Sequence, residues 1–87
     1  HPRRTGARFG NIPEGSRLAG RLEGVLVAEV ERGAPAWRAG LRPGDVITQA
    51  NRKPVTNLEQ LKKMVEGGGA LLFNIQRGNG ALFLLIR

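Results

Sequence analysis

Apolar residues fall along this chain in short runs separated by turn-forming residues, with no long amphipathic repeat. Residues 24–30, Gly-Val-Leu-Val-Ala-Glu-Val, are β-branched and mostly apolar and predict a strand. Residues 34–39 predict a short helix. Pro35 suits its first turn, where a missing N–H costs nothing, and Gly40 can take the left-handed conformation that ends it. Ala34, before the helix, offers no side-chain cap and forgoes about 1 kcal/mol. Arg42-Pro43-Gly44-Asp45 is turn chemistry: Pro43 presets φ, Gly44 accepts φ > 0, and Asp45 can accept bonds from nearby backbone N–H groups. Residues 45–50 predict a second strand, closed by the turn Asn51-Arg52-Lys53-Pro54.

Two overlapping capping boxes follow, Thr56 with Glu59 and Asn57 with Gln60. Either starts a helix that runs to about residue 66 and stops at Gly67-Gly68-Gly69. At about 100° per residue, Leu61 and Met64 are expected to face the core, with Leu58 and Val65 flanking them and Lys62 at the edge of the apolar arc. Residues 71–76 alternate like a half-buried strand, and Arg77-Gly78-Asn79-Gly80 is a hairpin signal joining them to residues 81–86. Residues 82–86 are apolar throughout, which predicts a strand covered on both faces or lying at an interface. Upstream, residues 9–19 read as a loop broken by Gly10, Pro13 and Gly15, with a short strand at Arg17-Leu18-Ala19. Four or five strands and two short helices in this order predict an antiparallel sheet or partial barrel with helices over its openings.

The stretch from Ala39 to Val55 resembles the A-G-L-x-x-G-D-x-I-x-x-x-N-x-x-P-V signature of bacterial PDZ domains, carried here by Ala39-Gly40-Leu41, Gly44-Asp45, Ile47, Asn51 and Pro54-Val55. Asn74-Ile75-Gln76-Arg77-Gly78 and the Leu82-Phe83-Leu84-Leu85-Ile86 ending narrow the resemblance to the second, C-terminal PDZ domain of Do-type (HtrA/Deg) periplasmic serine endoproteases. The resemblance implies a β-rich α+β PDZ fold of the circularly permuted bacterial type: an antiparallel partial barrel or sandwich of five to six strands with two short helices. It covers residues 9–87. The first eight residues are read as a linker or appended tail.

Composition narrows the chemistry. The chain has 87 residues, enough for one small domain, and with no leader recognisable at its start it is expected to be a mature protein or an excised domain. With no cysteine it can form neither a disulfide nor a thiolate metal site, and no apolar run approaches the roughly 18–20 residues that span a membrane. Its only histidine is His1, so Ser16 has no partner base; neither a catalytic constellation nor a metal site nor a cofactor is implied. The resembling proteases carry their catalytic triad in an upstream domain. Lys and Arg number 14 against 7 acids, a net charge of +7 that raises nucleic-acid or anionic-surface binding as an alternative function. The basic residues are scattered, however, and only three Phe and one Trp are present to stack on bases, so nucleic acid is not the expected partner.

A binding groove is the better candidate. In PDZ domains an extended peptide adds as a strand to an exposed sheet edge beside a helix, and a glycine-containing loop of x-Φ-Gly-Φ type holds its terminal carboxylate. Carried over to this chain, the resemblance implies a loop at residues 12–16 with Ile12, Glu14, Gly15 and Ser16, an edge strand with Ser16, Arg17 and Leu18, and a facing helix with Leu58, Lys62 and Val65. Glu14 and Ser16 depart from the apolar loop pattern, and Glu14 would sit near the incoming carboxylate. Trp37 stands where the family has a small residue; it is either a core-edge side chain or an anchor for another domain. The expected function is therefore non-catalytic and periplasmic. The domain would bind hydrophobic or C-terminal segments of substrate proteins, or contact PDZ or protease domains of other subunits during assembly.

Overall fold

A computed structural model describes residues 5–87, and the fold is given for those residues. In chain order the elements are β1 (Ala7–Asn11), β2 (Val25–Val30), α1 (Pro35–Ala39), β3 (Val46–Ala50), β4 (Lys53–Pro54), α2 (Leu58–Glu66), β5 (Leu71–Arg77) and β6 (Gly80–Ile86). Every strand pair is antiparallel, and the sheet runs β1-β2-β3-β5-β6 with β4 attached to β3. The outer strands are thus β1 and β6, one from each end of the chain. The expected PDZ-type sheet with two helices is what forms, and the sheet stays open.

Phe73, Leu41, Ile47, Leu61, Leu71 and Ile75 are the largest apolar side chains fully buried between sheet and helices. Strand β5 alternates as its sequence predicts, with Leu71, Phe73 and Ile75 inward. Helix α2 buries Leu61 and Val65, whereas Met64 is only half-buried. Val65, four residues on from Leu61, therefore takes the core position expected for Met64. Strand β6 differs from expectation too. Leu84 and Ile86 point into the core, but Phe83 is 69% exposed and Leu85 44% exposed, so one face of this apolar strand is open.

The turn between α1 and β3 forms as predicted. Gly40 sits at φ 106° and closes α1 with its N–H on the carbonyls of Ala36 and Trp37. The Arg42 N–H donates to Asp45 Oδ2 at 2.8 Å. Asp45 does more than cap: its carboxylate, 2% exposed, accepts a bidentate pair from Arg77, from Nε to Oδ1 at 2.7 Å and from a terminal nitrogen to Oδ2 at 2.8 Å. Arg77 also donates to the Gly40 carbonyl at 2.8 Å. The hydrogen bond to Asp45 raises the Arg77 pKa above its ordinary value, against a smaller opposing effect of desolvation. Asn51 staples β3 to β5: its N–H donates to the Leu72 carbonyl at 2.7 Å and its Oδ1 accepts from the Leu72 N–H at 2.8 Å.

The N-terminal third departs most from expectation. Residues 7–11 form an edge strand rather than tail and loop, and the expected domain boundary at Phe9 cuts through it. Little in Ala-Arg-Phe-Gly-Asn favours a strand on propensity. The conformation is imposed by pairing with β2 and by Phe9, whose ring meets Phe73 edge to face at 6.3 Å between centroids. The strand expected at residues 17–19 is instead a run of tight turns. The N–H groups of Ser16, Ala19 and Arg21 donate to the carbonyls of Pro13, Ser16 and Leu18, and Gly15 and Gly20 adopt φ 83° and 79°. Local bonds of this kind satisfy the backbone without a strand partner. Of the expected tail, residues 1–4 lie outside the described residues, while Thr5 and Ala7 are buried.

Candidate functional site

Strand β1 pairs with β2 along one edge and, among the described residues, has no strand on the other, and α2 packs beside it. Three features mark out a groove there. At the upstream end lies Thr5-Gly6-Ala7. Gly6 has φ +79°, and a Cβ on it would collide with the methyl of Ala34. Gly6 is thus required twice over, for its backbone conformation and for the close approach of α1. Its carbonyl accepts from the Glu31 N–H at 2.8 Å, and Thr5 Oγ1 accepts from the Ala7 N–H at 3.1 Å. The packing of Ala34 over Gly6 also accounts for the uncapped start of α1, where no side-chain hydrogen bond is made.

Midway, Phe9, Lys62, Val65 and Glu66 line a depression of about 140 Å³ between strand and helix. A dry apolar cavity of about 150 Å³ suffices for a benzene-sized group, so a branched aliphatic side chain fits here. Lys62 and Glu66 are exposed, one turn apart, and put opposite charges on the rim. Arg8, on β1, is paired with Glu29 at 3.0 Å, both exposed. At the downstream end Asn11 Oδ1 accepts from the Leu58 N–H at 2.8 Å and joins strand to helix directly. Asn57 caps the same helix by accepting from the Gln60 N–H at 3.0 Å, while Gln60 Oε1 accepts from the Thr56 N–H at 2.7 Å.

Of the residues expected on the helix side, Lys62 and Val65 line the depression, and the Leu58 N–H is bonded to Asn11 of β1. The loop half lies elsewhere. Ile12, Glu14, Gly15, Ser16, Arg17 and Leu18 belong to the turn segment beyond the downstream end of β1. Ile12 lines a separate depression together with Leu22, Thr56 and Asn57. Glu14 therefore does not belong to the glycine-bearing loop at the start of the edge strand. Sequence reasoning missed Gly6, Phe9 and Asn11. Their signal was a glycine followed by apolar residues at alternate positions, Ala7 and Phe9, inside a stretch that reads as a basic tail.

Trp37 is half-buried, with the Arg42 guanidinium 3.6 Å from the ring centroid and Arg32 at 5.4 Å. Arg42 also donates to the carbonyls of Trp37 and Leu41, so the indole is covered by its own chain. A stacked guanidinium of this kind is a favourable cation–π contact.

The glycine-bearing loop, free strand edge and flanking helix are the geometry of one family, and a family model described as "PDZ domain" matches residues 26–77, more than half of the chain. The chain belongs to the PDZ domain family. Its relatives are proteases of the HtrA/Deg group. This PDZ domain is 39% identical over 77 residues to the periplasmic serine endoprotease DegP of Salmonella typhimurium, covering 85% of this chain and 16% of that protein. It is 36% identical over 80 residues to the periplasmic pH-dependent serine endoprotease DegQ of Escherichia coli, covering 85% of this chain and 18% of that protein. Among solved structures it is similar to the HtrA3 PDZ domain bound to a phage-derived ligand, FGRWV. The TM-score is 0.82 at 28% identity, covering 92% of this chain and 78% of that one. This PDZ domain thus spans about a sixth of the proteases it matches. Among the described residues no helix is long and apolar enough to cross a membrane, and no cluster of three or more His, Cys, Asp or Glu is placed to hold a metal ion.

Proposed function

We propose that this PDZ domain captures short segments with an apolar, free carboxyl end, which add as an antiparallel strand to β1 in the groove beside α2. The observation that carries this reading is a strand edge with no strand partner among the described residues, a positive-φ glycine at its start and a depression of about 140 Å³ at Phe9 and Val65. An unpaired edge offers N–H and C=O groups to a ligand backbone, and a pocket alongside selects its side chain. The phage-derived ligand of the HtrA3 PDZ domain, FGRWV, ends in valine, a side chain of the size this depression admits. The parent protein on this reading is a periplasmic Do-type serine endoprotease and chaperone, whose PDZ domain holds unfolded or mislocalised substrates without itself catalysing their cleavage.

The test is an amide-resolved NMR titration of the 87-residue chain with FGRWV as free acid and as C-terminal amide. Shifts at residues 6–11 and 58–66, stronger with the free acid, are expected. Shifts confined to residues 12–21, or no shifts at saturating peptide, would overturn the reading.

A second reading has its own observation. Phe83 and Leu85 are exposed on β6, the opposite edge of the sheet, and Leu85 lines a depression with Arg38 and Arg87. Apolar side chains on an outer strand are a liability unless something covers them. In an assembled protease the cover would be a PDZ or protease domain of a neighbouring subunit. Phe83→Ser with Leu85→Ser in the full-length parent should then lower the oligomer order seen by sedimentation; an unchanged oligomer removes this role. The charge-driven alternative would instead be favoured by steeply salt-dependent binding to DNA or anionic vesicles.

A further inference from the structure

We propose that Asn11 sets the length of ligand this groove accepts, an inference that rests on the strand-addition reading above. Asn11 is the last residue of β1, and its Oδ1 accepts from the Leu58 N–H, the first amide of α2, at 2.8 Å. The first N–H groups of a helix have no partner within it, and they bond whatever acceptor is presented. Here one of them is taken by the helix's own cap, Asn57, and another by a side chain 47 residues earlier in sequence. Strand and helix are therefore fastened together where β1 ends.

Two lengths agree on the consequence. The nine residues of α2 extend about 13 Å at 1.5 Å per residue. The four residues from Ala7 to Gly10, upstream of the clasp, extend about 13 Å at 3.3 Å per residue. A ligand whose carboxyl end lies at the Gly6 loop, running antiparallel to β1, therefore uses up the free edge in about four residues. At the next position it meets the Asn11 side chain bonded to the helix. Beyond Asn11 the chain leaves the strand for turns: Pro13 has no N–H, and the amides of Ser16 and Ala19 are bonded within those turns.

The experiment is a peptide-length series read by calorimetry or NMR on the 87-residue chain: WV, RWV, GRWV, FGRWV and AAFGRWV, all free acids. Each added residue that reaches the edge should tighten binding up to GRWV, by up to about fivefold for a main-chain hydrogen bond. FGRWV and AAFGRWV should then bind within about twofold of GRWV. Asn11→Ala opens the clasp and should let AAFGRWV gain about threefold or more over GRWV. Asn11→Asp keeps the acceptor at the helix N-terminus and should restore the plateau. Continued tightening from GRWV to AAFGRWV in the unaltered chain, or the same plateau in Asn11→Ala, overturns the role of Asn11 alone. Failure of every peptide to bind overturns the strand-addition reading and this inference with it.

Discussion

Replacing Gly6 by alanine tests whether the loop at the head of β1 is shaped as described. Two costs are worked from the structure. Gly6 lies at φ +79°, where an L-residue pays about 1–2 kcal/mol. The new methyl would also collide with the Ala34 methyl, which is held by a buried helix start and cannot swing away as a long side chain would. Overpacking of this kind costs about 1–3 kcal/mol. Alanine restricts the unfolded chain and returns about 0.4–1 kcal/mol. The expected net loss is about 2–4 kcal/mol. Gly15 is the control, since it has φ +83° but nothing near its missing Cβ; Gly15→Ala should cost only about 1 kcal/mol. Ala34→Gly removes the colliding group, so the double variant should recover about 1–2 kcal/mol relative to additivity. Urea unfolding followed by the fluorescence of Trp37, the single tryptophan, measures all four proteins. A Gly6→Ala loss no larger than that of Gly15→Ala, or additivity between positions 6 and 34, would refute the close approach of loop and helix.

Arg77→Met leaves the Asp45 carboxylate, 2% exposed, with only the Arg42 N–H; because water reaches Arg77, which is 43% exposed, the loss is about 2 kcal/mol by urea unfolding rather than the 3–5 of a fully buried pair. The Arg77 pKa is raised in the fold, so its contribution is complete below the ordinary arginine range and fades only as pH rises through the raised value; the Arg77→Met deficit should thus be level between about pH 7 and pH 10. Thr5→Val removes the acceptor of the Ala7 N–H, and should lower stability by about 1 kcal/mol while tightening a carboxylate-ended ligand that can take over that donor; weaker binding would mean that the hydroxyl shapes the loop rather than competes. Arg42→Ala uncovers the indole and should red-shift Trp37 emission, with a loss of about 1 kcal/mol; unchanged emission would contradict the stacked guanidinium.

The sequence announced its fold through positions where chemistry and backbone conformation coincide. Pro35, Gly40, Gly44 and Asp45 each do in the structure the local task their residue type suggests, as does Asn57 at the start of α2. What stayed hidden depends on partners distant in the chain. Asp45 reads as a turn residue until Arg77 arrives, 32 positions later, to make it a buried ion pair. Strand β6 reads as doubly covered because every residue from 82 to 86 is apolar, and only the packing of the sheet reveals that the face carrying Phe83 and Leu85 is open.

The groove was half legible for the same reason. Helix α2 declares itself by caps and periodicity, so Leu58, Lys62 and Val65 could be placed on one side of it from sequence alone. Strand β1 has no such declaration. Ala-Arg-Phe-Gly-Asn becomes a strand because β2 pairs with it and Phe73 receives Phe9. The turn segment that follows carries stronger local signals, Pro13 and Gly15, and these outweigh Gly6 as the mark of a loop. A strand held at the sheet edge by tertiary contacts rather than by its own propensity has a direct bearing on binding. Among the described residues no strand pairs with its outer edge, and a ligand backbone that does so supplies the neighbour that an edge strand lacks. The segment that was hardest to read is therefore the one on which the proposed activity depends.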